Sequence, residues 1–335
     1  MKRAIRNTQA RNSRSKTAKD VIIREIPTIL KANPRARRGI EAAELIVDPA
    51  PRPPVPAPAK LPDPDQPQNV PQPPCITLLP TTTLEAAHRL LLTIPTPSPI
   101  PHHHHHQRPQ PRVAILNMAS PLRPGGGVLT GAASQEEHLC ARTTLYPSLR
   151  EEFYRLPEVG GVYTPDVLVF RHWDDSASEL PKSERFYVDV VSAGMLRFPD
   201  LEEDGDGEER KYAEEKDREM VVRKMRGVMR MVRGKGVDKV VLGAWGCGAY
   251  GNPVGEVAGA WRRVLLGKKG TGAGSESWAG LEVVFAIRDG RMAKRFAAAF
   301  GEGMEVEGVV SDVEESEDLP DEEEYDDEEV PAPEA

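Results

Sequence analysis

Between Arg112 and Phe300 short apolar runs alternate with longer amphipathic stretches, and this alternation constrains the fold more than any other feature of the chain. The runs at residues 113–116, 167–170, 186–191, 237–242 and 281–287 are rich in Val, Ile, Leu and Phe. Most are apolar without interruption, as expected of strands covered on both faces. Helical stretches lie between or after several of them, at residues 135–146, 211–233, 254–266 and 291–300. The pattern predicts an α/β class fold, a three-layer sandwich with helices on both faces of a mixed central sheet.

The flanks differ in composition. Residues 49–74 are a Pro-rich linker with no capacity for regular structure. A helix is expected over residues 84–92, after a Thr-Thr-Thr run that offers an N-cap. Residues 95–111 form a second Pro-rich patch that contains His102 to His106. Five adjacent histidines can bind a transition metal, but the low-complexity setting reads as a flexible surface loop, and no metal site is assigned. Two further surface loops are expected at residues 202–210 and 267–278. The division that follows is a basic helical extension at 1–48, the linker at 49–74, a folded domain at 75–304 and an acidic tail at 305–335.

The net charge of −8 conceals opposed ends. From Glu307 to Glu334 there are 15 Asp and Glu with no Lys or Arg, whereas residues 1–40 hold 12 Lys and Arg against Asp20 and Glu25. Such runs are commonly solvated and disordered, but a basic arm also suits a polyanionic partner, and an acidic tail can compete for the same surface. The first 19 residues have the Arg- and Ser-rich, acid-free composition of a mitochondrial transit peptide. The apolar spacing of Val21, Ile22, Ile26, Ile29 and Leu30 favours a helix that belongs to the fold. Cys75, Cys140 and Cys247 lack paired spacing, which fits a reducing compartment, nucleus or cytoplasm, and excludes a disulfide scaffold. No apolar run approaches the ~18 residues that suggest a membrane span.

The chemistry-bearing stretch follows the first strand. Asn117 stands at the strand's carboxyl end, where ligands of open α/β sheets bind. Its amide suits a ribose hydroxyl, or it closes a turn. Gly125, Gly126 and Gly127 form either a mobile turn after Pro124 or a nest of backbone N–H groups for phosphate. Gln135, Glu136 and Glu137 then open a helix. Ser134-x-x-Glu137 has the spacing of a capping box, a structural rival to a catalytic Glu137. Adjacent helical residues point about 100° apart, so the two acids cannot flank a bond from opposite sides. One can act on the bond while the other holds a sugar hydroxyl. A second loop, Gly246-Cys247-Gly248-Ala249-Tyr250, precedes Asn252 and Pro253, an expected N-cap and first helical residue. Two loops of one design can hold the two ends of a diphosphate, with Tyr250 stacked on a ribose or packed on the following helix.

Gly125-Gly-Gly followed seven residues later by Gln135-Glu136-Glu137 resembles the GGG-x(6–8)-QEE signature of poly(ADP-ribose) glycohydrolases. Leu116-Asn-Met-Ala-Ser, Leu145-Tyr-Pro-Ser-Leu, Asp166-Val-Leu-Val-Phe-Arg and Leu242-Gly-Ala-Trp-Gly-Cys-Gly-Ala-Tyr-Gly-Asn are similar to the microbial type. Met118 stands where that family often has Phe. The resemblance covers about residues 75–300 in order, less the loops, and implies a macrodomain fold with a hydrolase that cuts the ribose–ribose O-glycosidic bond. It implies Glu137 as acid/base, Glu136 on ribose hydroxyls, and Asn117 and Tyr250 at the distal ribose. It places Gly125 to Gly127 and Gly246 to Tyr250 around the diphosphate, with Gln135 in the substrate site. No cofactor is required, and the partners are poly(ADP-ribose) or ADP-ribosylated proteins, with ADP-ribose as product of a monomeric enzyme. A macrodomain that binds without cutting, or a hydrolase of single ADP-ribosyl groups, remains an alternative at this point.

Overall fold

The computed structural model describes residues 2–51, 73–93, 111–203, 210–267 and 276–308. Most of the Pro-rich linker, His102 to His106, the middles of the two later loops and the acidic tail from residue 309 lie outside the described residues.

An eight-stranded mixed sheet forms the centre. Its order is β1 (Glu44–Val47), β4 (Gly160–Val169), β5 (Phe186–Ala193), β3 (Val113–Met118), β8 (Lys239–Leu242), β9 (Glu282–Ala286), β2 (Cys75–Leu79) and β10 (Glu305–Val306). From β5 to β10 neighbouring strands are parallel, whereas β4 is antiparallel to both β5 and β1. All five expected strands are present. β4 is longer than expected because the chain crosses Pro165 and Asp166 through a register shift between Thr164 and Val167. A bulge is where a strand tolerates proline.

Helices cover both faces. On one face α6 (Glu215–Gly234), α7 (Val254–Leu266) and α8 (Gly290–Phe300) pack against Leu116, Val191, Val240, Val283 and Phe285. Trp245, Trp261, Phe285, Phe296 and Phe300 are all buried there, and truncating one such ring to Ala costs about 3–5 kcal/mol. On the other face α4 (Thr83–Leu92) and α5 (Gln135–Cys140) pack against Val113, Ile115, Val190, Val241 and Val284. Alternate residues of β3 enter opposite cores, which is why its sequence is apolar throughout.

The N-terminal region is helical: α1 (Lys2–Asp20), a π-helical turn at Val21–Glu25, α2 (Ile26–Ala32) and α3 (Pro34–Glu41). Val21, Ile26, Ile29 and Ala36 pack on Leu168 of β4 and on Phe170 just beyond it. The same region then supplies β1, an edge strand that the apolar spacing alone does not announce. Likewise the first residues of the acidic segment form β10, and Cys75–Leu79 between prolines forms β2.

Other boundaries move for identifiable reasons. α4 starts as expected, with Thr82 Oγ1 accepting the Glu85 N–H at 3.3 Å. The helix expected to reach residue 146 stops at Cys140 because the next residues bond to β4: Thr144 N–H donates to Leu168 O, and Leu168 N–H donates to Thr144 Oγ1. The helix expected from residue 211 starts at Glu215, since β7 (Arg210–Tyr212) pairs with β6 (Leu201–Glu203) in a small hairpin. The 202–210 segment thus has paired ends rather than being loop throughout.

Candidate active site

The carboxyl ends of β3 and β5 lie side by side, with Asn117 paired to Ser192 in register. Asn117 is fully buried and donates through Nδ2 to Ser192 Oγ (3.0 Å) and Glu136 Oε1 (3.3 Å). Its Oδ1 is buried without a partner among the described residues. Glu136 Oε2 accepts the Ser120 N–H at 2.7 Å. Thus the turn after β3 and the first turn of α5 are tied together through one carboxyl group.

Glu137 faces the glycine loop. Its Oε1 accepts the Gly127 N–H at 2.7 Å, and its Oε2 accepts from Ser134 Oγ. This is not a capping box. Ser134 sits at the N-cap position with extended backbone but makes no side-chain cap bond, because its hydroxyl is turned to the carboxylate. The expected Ser134 cap is therefore corrected: the S-x-x-E spacing serves to hold an acid in place.

The triple glycine is corrected in the same way. Gly127 N–H goes to Glu137, Gly126 N–H donates to Arg123 O, and the Gly125 N–H acts on Glu136. A nest of N–H groups suits oxygen acceptors, and here the Gly125 and Gly127 N–H groups are turned to the protein's own Glu136 and Glu137 carboxyl groups. The glycines are required by close approach. Gly125 and Gly126 have φ of 64° and 55°. A Cβ on Gly126 would meet Glu137 Oε1 at 2.6 Å and Glu136 Oε2 at 2.9 Å, and one on Gly125 would meet the Tyr146 ring at 2.8 Å. The two acids, although adjacent on a helix, thus converge beneath a single glycine.

Their environment is dry, with Glu136 and Glu137 only 1% and 5% exposed. Burial, reinforced by the neighbouring Glu137 charge, pushes the Glu136 carboxyl up to about 8, against the opposing hydrogen bonds from Ser120 and Asn117. Burial thus favours the neutral carboxylic acid at Glu136. Tyr154 adds a buried hydroxyl with no partner among the described residues, and its phenol is raised by burial and then by Glu136.

Gln135 is engaged by the protein's own groups. Its Oε1 accepts the Met118 N–H, and its Nε2 donates to Leu116 O and Thr83 Oγ1. It is a strut between β3, α4 and α5, which corrects its assignment as a substrate-binding residue.

The second glycine loop begins beside the first strand, for a Cβ on Gly243 would lie 3.1 Å from Met118 Cε. Asn252 holds this loop instead of capping α7. Its Nδ2 donates to Gly246 O and Leu196 O, and its Oδ1 accepts from the Tyr212 hydroxyl. This corrects the expected N-cap; the assigned cap position is Pro253. Cys247 is turned inward: its N–H donates to Ala244 O, and burial pushes its thiol up to about 12. The N–H groups of Gly246, Gly248 and Ala249 have no acceptor among the described residues. Tyr250 borders them, 6.3 Å from the Phe198 ring, with the Arg197 guanidinium over both rings.

Sequence reasoning did not single out Ser120, Ser192 or Tyr154. Ser192 had a signal, since it lies one residue before the end of β5, the strand parallel to the one that carries Asn117. The Ser120 contribution is a backbone N–H and has no side-chain signature. Among the described residues no group of three or more His, Cys, Asp or Glu is placed to hold a metal ion, and no helix is long and apolar enough to cross a membrane.

A mixed sheet flanked by helices, with two buried acids at the strand ends and an open N–H loop beside them, defines a macrodomain-like protein. Residues 43–172 match the family model described as microbial-type PARG, catalytic domain. The crystal structure of poly(ADP-ribose) glycohydrolase from Thermomonospora curvata is 26% identical, with a TM-score of 0.60 over 86% of this chain and 98% of that chain. The structure of that organism's enzyme bound to the inhibitor ADP-HPD, 24% identical with a TM-score of 0.56 over the same shares of the two chains, has the same fold. A comparison with curated proteins gives no match. Residues 43–172 are thus similar to the catalytic domain of microbial-type PARG.

Proposed function

We propose that the protein hydrolyses the ribose–ribose O-glycosidic bond of poly(ADP-ribose) and releases ADP-ribose. The observation that carries this reading is the convergence of two buried carboxyl groups beneath Gly126. The family match over residues 43–172 supports it.

In this reading Glu137 is the acid/base. Held by the Gly127 N–H and Ser134 Oγ, it has a fixed direction and low exposure. Entering the step as the carboxylic acid, it gives its proton to the departing ribose oxygen as the oxocarbenium-like centre develops, and the carboxylate so formed takes the proton of the attacking water, which restores the acid. The proton that burial retains on Glu136 lowers the repulsion between the two groups once Glu137 has given up its own. Neutral Glu136 donates to a ribose hydroxyl while Asn117 and Ser120 fix its orientation. The unpartnered Asn117 Oδ1 and Tyr154 hydroxyl are further partners for sugar hydroxyls. The diphosphate lies on the N–H groups of Gly246, Gly248 and Ala249, with Tyr250 against the distal ribose. Gly125 to Gly127 act one step removed, by aiming the acids. The catalytic domain takes in β1 and β10 as well as residues 75–304, acts as a monomer and works in the nucleus or cytoplasm, consistent with three free thiols at Cys75, Cys140 and Cys247.

The test is incubation with labelled polymer and separation of released ADP-ribose, beside a mono-ADP-ribosylated protein as comparison substrate. Release by the unmodified protein and its loss in Glu137→Gln are expected. Equal release by both proteins, or none by either, refutes the assignment, and preference for the mono-modified protein reassigns the substrate.

A further inference from the structure

We infer that α1 is a cationic rail that holds the stretch of polymer lying outside the catalytic cleft. The inference rests on the hydrolase reading above and extends it to substrate beyond the unit being cut.

Core burial does not account for α1. At about 1.5 Å per residue its 19 residues extend roughly 28 Å. Residues 7–13 are all exposed, and Ala18 is the one apolar side chain of its described part that is buried. The helix carries seven Lys and Arg against Asp20 alone, and Asp20 is turned to Arg24 at 3.3 Å. Among the described residues no carboxylate pairs with Lys16 or Lys19, both exposed. A helix so charged repels itself, and isolated helices of this length are marginal in water. A bound polyanion removes that repulsion.

Its position is specific. Arg11 Nε donates to Thr130 O (3.1 Å), Arg14 Nε to Gly131 O (2.8 Å) and Ser15 Oγ to Leu129 O (2.7 Å). Gly131 has φ +84°, and a Cβ there would lie 2.1 Å from Arg11 O. These three carbonyls belong to the turn that directly follows Gly127, the residue that grips Glu137. The helix is therefore docked on the rim of the catalytic loop, and the exposed Lys16 and Lys19 project from there. The partner is a linear polyanion that enters this cleft, with two negative charges in every diphosphate unit. Poly(ADP-ribose) meets both conditions, while a nucleic acid meets only the first.

The experiment compares long polymer with a substrate of two units, using the full chain and the charge reversal Lys16→Glu/Lys19→Glu, with Lys16→Gln/Lys19→Gln as the milder pair. Each phosphate contact on a single strand contributes about 0.7 to the slope of log affinity on log salt. The reversal is expected to lower that slope by about 1.4 and to raise KM for long polymer roughly tenfold at low salt. The neutral pair gives a smaller shift in the same direction, and kinetics on the two-unit substrate stay unchanged. Equal shifts on both substrates, or none on either, overturn the proposal. Unchanged polymer kinetics with weakened binding of an oligonucleotide would assign α1 to nucleic acid and also overturn it. Failure of the hydrolase reading looks different: the unmodified protein would release nothing from either substrate, and the rail would fall with it.

Discussion

Gly126→Ala isolates the geometry of the two acids. Two costs follow from the structure. An L-residue at φ 55° costs about 1–2 kcal/mol. The added methyl also arrives 2.6 Å from Glu137 Oε1 and 2.9 Å from Glu136 Oε2, so at least one carboxyl must leave its place. Displacing Glu137 breaks its hydrogen bond to Gly127 N–H; a bond to a charged group contributes about 1.5–3 kcal/mol. If that loss falls on the transition state, kcat drops roughly 10- to 100-fold. Gly248→Ala is the internal control. Gly248 lies in the other loop, with nothing within 4 Å of its hypothetical Cβ. The free protein accepts that methyl, and the change acts only on a diphosphate lying against the loop. Steady-state hydrolysis of polymer by both variants, with denaturant unfolding of each, separates the two roles. Gly126→Ala should lower kcat and stability; Gly248→Ala should raise KM with stability unchanged. A Gly126→Ala protein that keeps kcat within about twofold would refute the claim that this glycine sets the acids.

Three further outcomes follow from the same contacts. Between its ordinary value of 4.5 and about 8, folded Glu136 holds a proton that the unfolded chain has lost. Its stabilising contribution is therefore complete below pH 4.5 and is lost as pH rises through about 8; Glu136→Gln should flatten that decline in denaturant titrations, and parallel curves for the two proteins would show the group is not buried as described. Ser134→Ala removes a donor to Glu137 but no cap, so kcat should fall roughly tenfold while unfolding shifts by much less than the ~1 kcal/mol of a lost N-cap; the opposite split would restore the capping box. Tyr154→Phe deletes an unpartnered buried hydroxyl and should leave stability level or slightly raised while increasing KM, and an unchanged KM would place that hydroxyl away from the sugar.

How far the sequence was readable depended on whether a residue's partner lay nearby in the chain. Apolar runs such as Val113–Met118 report burial on both faces and gave the sheet directly, and the cap at Thr82 was legible because its partner Glu85 is three residues away. β1 and β10 were hidden because short edge strands bury little and are defined by pairing with distant residues, Glu44 with Tyr163 and Glu305 with Thr77. The site divides along the same line. Ser134-x-x-Glu137 has one spacing and two solutions: the carboxylate can return to the helix end, or reach forward to Gly127. Helix geometry permits both, and the choice rests on a backbone N–H ten residues earlier in the chain. Asn252-Pro253 poses the same ambiguity, and Tyr212, 40 residues away, resolves it. In both cases the local motif was present but its hydrogen bonds had been redirected to a tertiary partner. The redirection also explains the triple glycine. A loop meant only to cradle phosphate would tolerate a methyl wherever the ligand left room, whereas Gly126 has both carboxylates under it before any ligand binds. The glycines and the acids are thus one device, in which two of the loop's N–H groups, those of Gly125 and Gly127, are satisfied by the acids and the acids are aimed by the loop.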